Sequence, residues 1–192
     1  IEKIVDINIT EDIDFGIKDL TGLEKAINMV RIMVNTNKRE EYKIESIEPL
    51  RNLPKLNVIH LENNKITNLE PLSGMNQLYN LNFYGNKIEN IEPLRGKTNL
   101  HYLYLGENKI TNVDVVRDFS NLEVLDLGNS KINNLDFLKG KTNLTVLRLN
   151  SNEIENIDIL RGLPNLTELQ LSGNKIENIE PIRGLTNLNY LY

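Results

Sequence analysis

A unit of 22 residues repeats along most of the chain, and it constrains the fold more than any other feature of the sequence. The clearest copy begins at Leu100. Leucines occupy its first, fourth and sixth positions, Asn108 its ninth, and apolar residues every third position from Ile110 onward. Further copies begin at Leu56, Leu78, Leu122, Leu144 and Leu166. One unit cannot bury these side chains by itself, so the period predicts a solenoid of stacked coils.

The chain is predicted to form one repeat domain over residues 1–192. Its parts are irregular repeats at 4–28 and 29–55, regular repeats over 56–187 and a partial repeat at 188–192. In the first irregular repeat, Asp12 occupies the place of the ninth-position Asn. An insertion at Lys38–Lys43 lengthens the second irregular repeat.

The last repeat is expected to leave an apolar edge at Leu188 and Leu191. Solenoids need polar caps on their terminal coils. We therefore expect the native protein to continue at one or both ends, or these edges to pack on a partner molecule. End-to-end self-association is one form that such packing could take.

The two halves of each repeat predict different backbone structure. Alternating apolar residues in the first half predict a short strand, and strands of successive coils must pair with each other to satisfy their backbone groups. The second half carries an acidic residue that is often followed by Pro, as in Glu92–Pro93, which is typical of the start of a short helical turn. The Arg or Lys three residues after the acid, and the lysines at the tenth position, are expected to form a solvated convex face.

Two series of polar residues lie at positions that should be inside the coil. The ninth-position Asn is predicted to hydrogen-bond the backbone of its own and the next coil, where no regular ladder exists. Ser130 interrupts this series and is predicted to make a shorter, weaker contact with help from water. Lys97 and Lys141 occupy a position that is apolar in other coils, so we expect their stems to pack and their ammonium groups to reach solvent.

The complete unit, LxxLxLxxNxIxxIxxLxxLxx, resembles the 22-residue class of leucine-rich repeats. That class occurs in bacterial internalins and in a eukaryotic regulatory subunit of protein phosphatase 1. The segments Ile17–Ala26 and Ile44–Leu56 are most similar to internalins. The resemblance implies an α/β repeat fold: a curved horseshoe solenoid with a parallel concave β-sheet of about nine short strands and short 3-10 or helical turns on its convex side. It also implies a protein that bacteria secrete or expose at the cell surface and that binds host proteins through the concave sheet.

Strand positions next to the core leucines are free to vary, and their side chains should point out of the concave face. Tyrosine is concentrated there, although the core does not require it, and tyrosine is enriched in protein interfaces. The candidate protein-binding residues are His60, Glu62, Tyr84, His101, Tyr102, Tyr104, Asp126, Arg148, Glu168 and Gln170. A second interpretation stays open, because tyrosine also favours strands on packing grounds and cross-strand aromatic pairs stabilise a sheet without any ligand.

Composition and motifs narrow the chemistry that the chain can perform. With no cysteine it can form neither a disulfide nor a Cys-based metal site, and its net charge of −5 argues against nucleic acid as a partner. No apolar run is long enough for membrane insertion. Gly96-Lys97-Thr98 resembles a phosphate loop, but Ile91 stands where that motif requires Gly. We expect no catalytic set, no cofactor and no metal.

The leading hypothesis is therefore a non-enzymatic module for protein–protein interaction, similar to internalins, which is secreted or displayed on a bacterial surface. An alternative is an intracellular, cytoplasmic regulatory subunit that docks on an enzyme such as a protein phosphatase. A third hypothesis is an enzyme whose catalytic domain lies outside this sequence, with the repeats selecting its substrate.

Overall fold

A computed structural model describes residues 1–9, 17–35 and 42–192 of the chain. Its strands form one parallel sheet in chain order. They are β1 (Asp6–Ile9), β2 (Arg31–Val34), β3 (Val58–His60), β4 (Asn80–Asn82), β5 (Tyr102–Tyr104), β6 (Val124–Asp126), β7 (Val146–Arg148), β8 (Glu168–Gln170) and β9 (Tyr190–Leu191). The predicted stack of coils with one parallel sheet is confirmed.

The repeat length sets the register of the sheet. From β3 onward each residue pairs with the residue 22 positions later, so that Leu81 pairs with Leu103 and Leu103 with Leu125. The offset is 25 residues between β1 and β2, where Asp6 pairs with Arg31, and 27 between β2 and β3. Extra residues in the irregular repeats are therefore accommodated outside the strands. Asp12 and residues 38–41 of the insertion lie outside the described residues.

Short 3-10 helices form the side of the coils opposite the sheet. They are Leu23–Lys25, Glu48–Leu50, Glu70–Leu72, Glu92–Leu94, Asp114–Asp118, Asp136–Leu138, Asp158–Gly162 and Glu180–Ile182. Seven of them begin at the predicted acidic residue, whose carboxylate favours the positive end of the helix. The predicted solvated face is confirmed, since Arg95 pairs with Glu92 at 2.7 Å while both side chains stay exposed.

A second Asn in each regular repeat, for which the sequence motif predicts no role, precedes these helices. The Asn90 Oδ1 accepts a hydrogen bond from the backbone N–H of Glu92 at 2.9 Å. Equivalent bonds are made by Asn68, Asn112, Asn134, Asn156 and Asn178. Side chains of this kind hold the chain in the turn that precedes a helix. None of the helices in the described part of the chain has both the length and the apolar character that crossing a membrane requires.

Leucine and isoleucine side chains from the sheet and the helices fill the interior of the coils. Leu100, Leu103, Leu105 and Ile110 have no exposed surface, and the equivalent residues of neighbouring coils are buried against them. Burying each such side chain contributes about 1.5–3 kcal/mol, which is available only when coils stack.

The ninth-position Asn residues form a buried ladder through the stack. The Asn86 Nδ2 donates to the carbonyls of Phe83 and Leu61 at 3.0 and 2.9 Å, and its Oδ1 accepts from the Ile66 N–H at 3.0 Å. Leu61 and Ile66 belong to the preceding coil, so the prediction of bonds to the following coil is wrong in direction. The Asn side chain points toward the preceding coil, so its amide bonds the turn of that coil and of its own coil.

Ser130 interrupts the ladder without replacing its contacts. The Ser130 Oγ is buried and makes no hydrogen bond to any described residue. The predicted weak contact is therefore wrong, because a hydroxyl on Cβ is too short to span the distance that an Asn amide covers in the other coils.

The prediction for Lys97 and Lys141 is also wrong. Lys97 has no exposed surface and Lys141 has 4%. Each ammonium group bonds a backbone carbonyl of the preceding coil, with Lys97 Nζ 2.9 Å from the Ser73 oxygen and Lys141 Nζ 2.7 Å from the Arg117 oxygen. These carbonyls lie at the ends of 3-10 helices, where a positive charge is favourable. Burial lowers the pKa of both lysines.

Candidate protein-binding face

Alternation along each strand separates core side chains from those on the concave face. In β5, Leu103 is fully buried between Tyr102 and Tyr104, both of which are partly exposed. The same pattern holds in β3, β4, β7 and β8. The free positions of neighbouring coils therefore lie side by side on one continuous surface.

Aromatic side chains form a cluster at the beginning of β5. The Tyr79 ring lies 4.5 Å from His101 and 5.4 Å from Tyr102, centroid to centroid, the second contact being edge-to-face. The Tyr102 hydroxyl donates to Glu123 Oε2 at 2.9 Å, and His101 Nε2 lies 4.0 Å from Glu123 Oε1. Hydrogen bonds to Tyr79 and Glu123 raise the pKa of Tyr102. We call these four residues, Tyr79, His101, Tyr102 and Glu123, the tyrosine cluster.

A charged network crosses the next three strands. The Arg148 Nε donates to Glu168 Oε1 at 2.9 Å, and Gln170 Nε2 donates to the same oxygen at 2.8 Å. The Arg148 Nη1 lies 3.9 Å from Asp126 Oδ2, while Asp126 Oδ1 accepts from the Gly128 N–H at 3.0 Å. Asp126 is only 6% exposed, and burial raises the pKa of its carboxyl. The pKa of Glu168 is lowered, chiefly by its hydrogen bond with Arg148.

Gly106 lets Tyr84 and Asp126 approach each other. A Cβ at position 106 would lie 2.7 Å from Asp126 Oδ1 and 3.0 Å from two ring carbons of Tyr84. Any side chain there would displace one of them. The Tyr84 ring thereby reaches the edge of the charged network. Burial, followed by a hydrogen bond with Glu107, raises the pKa of Tyr84.

The predicted site residues thus fall into separate groups instead of one cluster. His101 and Tyr102 meet at the start of the strands. Asp126, Arg148 and Gln170 lie two residues farther along, where Arg148 and Gln170 bond Glu168 at the start of β8. Tyr104 lies in register between the strands of Asn82 and Asp126. His60 is separated from Tyr104 by the strand of Asn82, and its buried Nε2 makes no hydrogen bond within the described part of the chain. Glu62 lies two residues after His60, beyond the end of β3.

Three residues that are not among the predicted site residues contact them in the structure: Tyr79, Glu107 and Glu123. Tyr79 and Glu123 occupy the second position of their repeats, which the strand alternation assigns to neither face. His101, which is a predicted site residue, occupies the same position of its repeat. The second positions of adjacent coils lie in one row, and this row is the sequence signal that points to Tyr79 and Glu123. Within the described ranges, no three His, Asp or Glu side chains are grouped so that they could hold a metal ion.

Comparison with known proteins agrees with this geometry. A family model for leucine-rich repeats, in two copies per match, fits residues 54–96, 98–140 and 142–184, which is more than half of the chain. A search of curated protein sequences found no significant match.

Solved structures with the same fold include two internalins from Listeria monocytogenes. An internalin (inlF) is 27% identical to this chain with a TM-score of 0.85. The match covers 98% of this chain and 61% of the inlF chain. Internalin C2 is 29% identical with a TM-score of 0.88, covering 100% of this chain and 81% of its own. The ectodomain of the Arabidopsis thaliana receptor kinase GASSHO1/SCHENGEN3, solved in complex with CASPARIAN STRIP INTEGRITY FACTOR 2, is 22% identical with a TM-score of 0.76. That match covers 88% of this chain and 22% of the length of the receptor ectodomain.

The chain spans 61% of the length of the inlF internalin, less than two thirds. The resemblance to internalins is confirmed at the level of sequence and fold. The repeat motif, the register of the sheet and the matching family model together place this chain in the leucine-rich repeat family, whose fold is a module for protein–protein interaction.

Proposed function

We propose that this chain is a non-enzymatic binding module that holds a protein partner on its concave face. The observation that carries the proposal is the tyrosine cluster. Its rings are partly exposed on the sheet surface, and the core beneath it is already complete with Leu103 and Leu125. Large, rigid aromatic groups with a polar tip are the side chains that contribute most to protein interfaces.

The proposed contact surface extends from the tyrosine cluster to the charged network. It comprises His60, Glu62, Tyr84, His101, Tyr102, Tyr104, Asp126, Arg148, Glu168 and Gln170, together with Tyr79, Glu107 and Glu123. Similarity to two Listeria internalins supports the further proposal of a bacterial protein that is secreted or displayed on the cell surface and binds a host protein. The plant receptor ectodomain with its bound partner supports the use of this fold for holding a protein.

The proposal is tested by replacing Tyr102 and Tyr104 with Ala. Extracellular proteins captured by the immobilised chain would first be identified, and each would then be purified and titrated by surface plasmon resonance. We expect the double variant to bind at least about 30-fold more weakly, because losing even one interface hot spot removes about 2 kcal/mol.

The matched control replaces Tyr190 and Tyr192 with Ala, the same residue types at the same positions of another coil. We expect little change in affinity from it. An equal loss in both double variants, or unchanged affinity when Tyr102 and Tyr104 are replaced, would place the contact elsewhere.

A further inference from the structure

Acidic and basic residues are unequally divided between the two sides of the coils. On the convex side they alternate and pair, as Glu92 does with Arg95 and Asp158 with Arg161. The second, third, fifth, seventh and eighth positions of the regular repeats face the other way. Those positions hold five acidic residues, one Arg and no Lys. The acids are Glu62, Glu107, Glu123, Asp126 and Glu168, and the Arg is Arg148.

Arg148 does not offset this excess. Its Nε is bonded to Glu168 and its Nη1 lies 3.9 Å from Asp126. The one cation at these positions is thus shared between two carboxylates. Glu107 and Glu123 have phenols as neighbours instead. The concave face therefore carries unbalanced negative charge next to aromatic rings.

Two tyrosine–carboxylate pairs occupy this face. The first joins the Tyr102 hydroxyl to Glu123 Oε2 at 2.9 Å, leaving Glu123 Oε1 with only the 4.0 Å approach of His101 Nε2. In the second, the Tyr84 ring lies against Gly106, which places Glu107, the next residue, beside the phenol. An aromatic face beside a carboxylate is the arrangement that binds a guanidinium, which stacks on the ring while its N–H groups fork onto the oxygens.

We propose, on the basis of the proposed function, that the partner is a basic protein segment whose arginine side chains bind at the Tyr102–Glu123 and Tyr84–Glu107 pairs. The two pairs lie at opposite ends of the strands, about five residues or ~16 Å apart. One extended segment running along the strands can therefore reach both. Bidentate contact at each pair favours Arg over Lys, because ammonium cannot fork onto a carboxylate.

The test uses fluorescein-labelled nona-arginine, nona-lysine and nona-glutamate peptides, titrated with the whole chain by fluorescence anisotropy at low salt. The variant is Glu107→Gln with Glu123→Gln. The matched control is Glu89→Gln with Glu155→Gln, which removes the same charge from exposed positions away from the concave face. Thermal unfolding of both variants verifies that they are folded.

We expect nona-arginine to bind more tightly than nona-lysine and nona-glutamate not to bind. The concave variant should weaken nona-arginine binding at least about tenfold and the control less than about twofold. Equal weakening by both variants would show general attraction between opposite charges and would overturn the proposal. Failure of nona-arginine to bind, or equal affinity for nona-lysine, would also overturn it.

The same variants separate this inference from the proposed function. Suppose that replacing Tyr102 and Tyr104 lowers the affinity for a partner, whereas Glu107→Gln with Glu123→Gln leaves it unchanged. The proposed binding face would then be supported, and the proposal of a basic segment would be contradicted. If neither pair of substitutions changed the affinity for a partner, both the proposed function and the proposed basic segment would be contradicted.

Discussion

At the scale of the residue, Lys97 occupies a place built for an apolar side chain. Met75 fills the equivalent place in the preceding coil and Phe119 in the following one, and all three are buried. The Lys97 stem replaces their apolar surface, while its ammonium group is limited to one bond, with the Ser73 carbonyl. Because a buried charge with one neutral partner loses more hydration than it regains, this lysine stabilises the coil less than an apolar residue would.

Lys97→Met is therefore expected to raise the free energy of unfolding at pH 7 by about 1 kcal/mol. Burial lowers the pKa of Lys97 in the folded state, so between that pKa and the ordinary value the unfolded chain binds more protons than the folded one. Stability of the unmodified protein must then rise as pH rises through this window. The advantage of the Met variant should shrink from pH 7 toward pH ~10.4, the unperturbed lysine value. Urea unfolding across that pH range measures it.

An exposed lysine provides the comparison. Lys87→Met removes the same charge from the surface of the same coil and should neither stabilise the protein by a similar amount nor change its pH dependence. A pH-independent gain from Lys97→Met would show that packing, and not the buried charge, distinguishes the two residues.

At the scale of the element, the Asn ladder joins each coil to the one before it. Asn108 donates to the carbonyls of Phe83 and Leu105 and accepts from the Ile88 N–H at 2.9 Å. In the next coil, Ser130 takes the place of Asn and makes none of the equivalent bonds with the described residues. Among the described residues, the Leu105 carbonyl therefore accepts a side-chain bond from Asn108 alone, whereas the equivalent Phe83 carbonyl accepts from both Asn86 and Asn108. The Ile110 N–H likewise has no Asn oxygen to donate to.

Ser130→Asn should restore the ladder. We expect it to raise the free energy of unfolding by about 1–2 kcal/mol, since it supplies an acceptor to the Ile110 N–H and a second donor to the Leu105 carbonyl. The reverse change, Asn108→Ser, should cost at least as much because it orphans groups that are bonded now. Urea denaturation of both variants measures the effects. A neutral Ser130→Asn would mean that the coil has relaxed around its serine.

Individual residues show which parts of this structure a sequence can predict. Leu103 and Glu92 could be assigned to the core and to a helix start because the period repeats the same requirement in every coil. The partner of Tyr102 could not, since a partly exposed side chain chooses among neighbours by rotamer and Glu123 lies one coil away at an unassigned position. The burial of Lys97 was hidden for a related reason: the carbonyl that receives it belongs to the preceding coil.

At the scale of the whole molecule, the junction between the coils of Leu100 and Leu122 lacks the Asn side chain that joins the other regular coils. Besides the unbonded Ser130, two cavities open there. One of about 340 Å³ is lined by residues 108–111 and 129–131, and another of about 250 Å³ by residues 111–114, 117, 131–134, 136 and 137. The stability of a repeat protein is the sum of coil and interface terms, so loss of buried hydrogen bonds at one interface lowers the coupling between the two halves. The proposed binding face crosses this junction, with Tyr102 on one side and Asp126 on the other.

Hydrogen exchange should locate this weakness. We expect the Ile110 amide to exchange at least about tenfold faster than those of Ile88 and Ile154, because loss of one buried hydrogen bond lowers the opening free energy by ~1.4 kcal/mol. The Ile88 and Ile154 amides donate to Asn108 Oδ1 and Asn174 Oδ1 at 2.9 and 3.1 Å. Ser130→Asn should slow exchange at Ile110 while leaving Ile154 unchanged, as followed by NMR on the ¹⁵N-labelled chain. Equal protection of all three amides would mean that the coils open as one cooperative unit and that the junction transmits stability as well as any other.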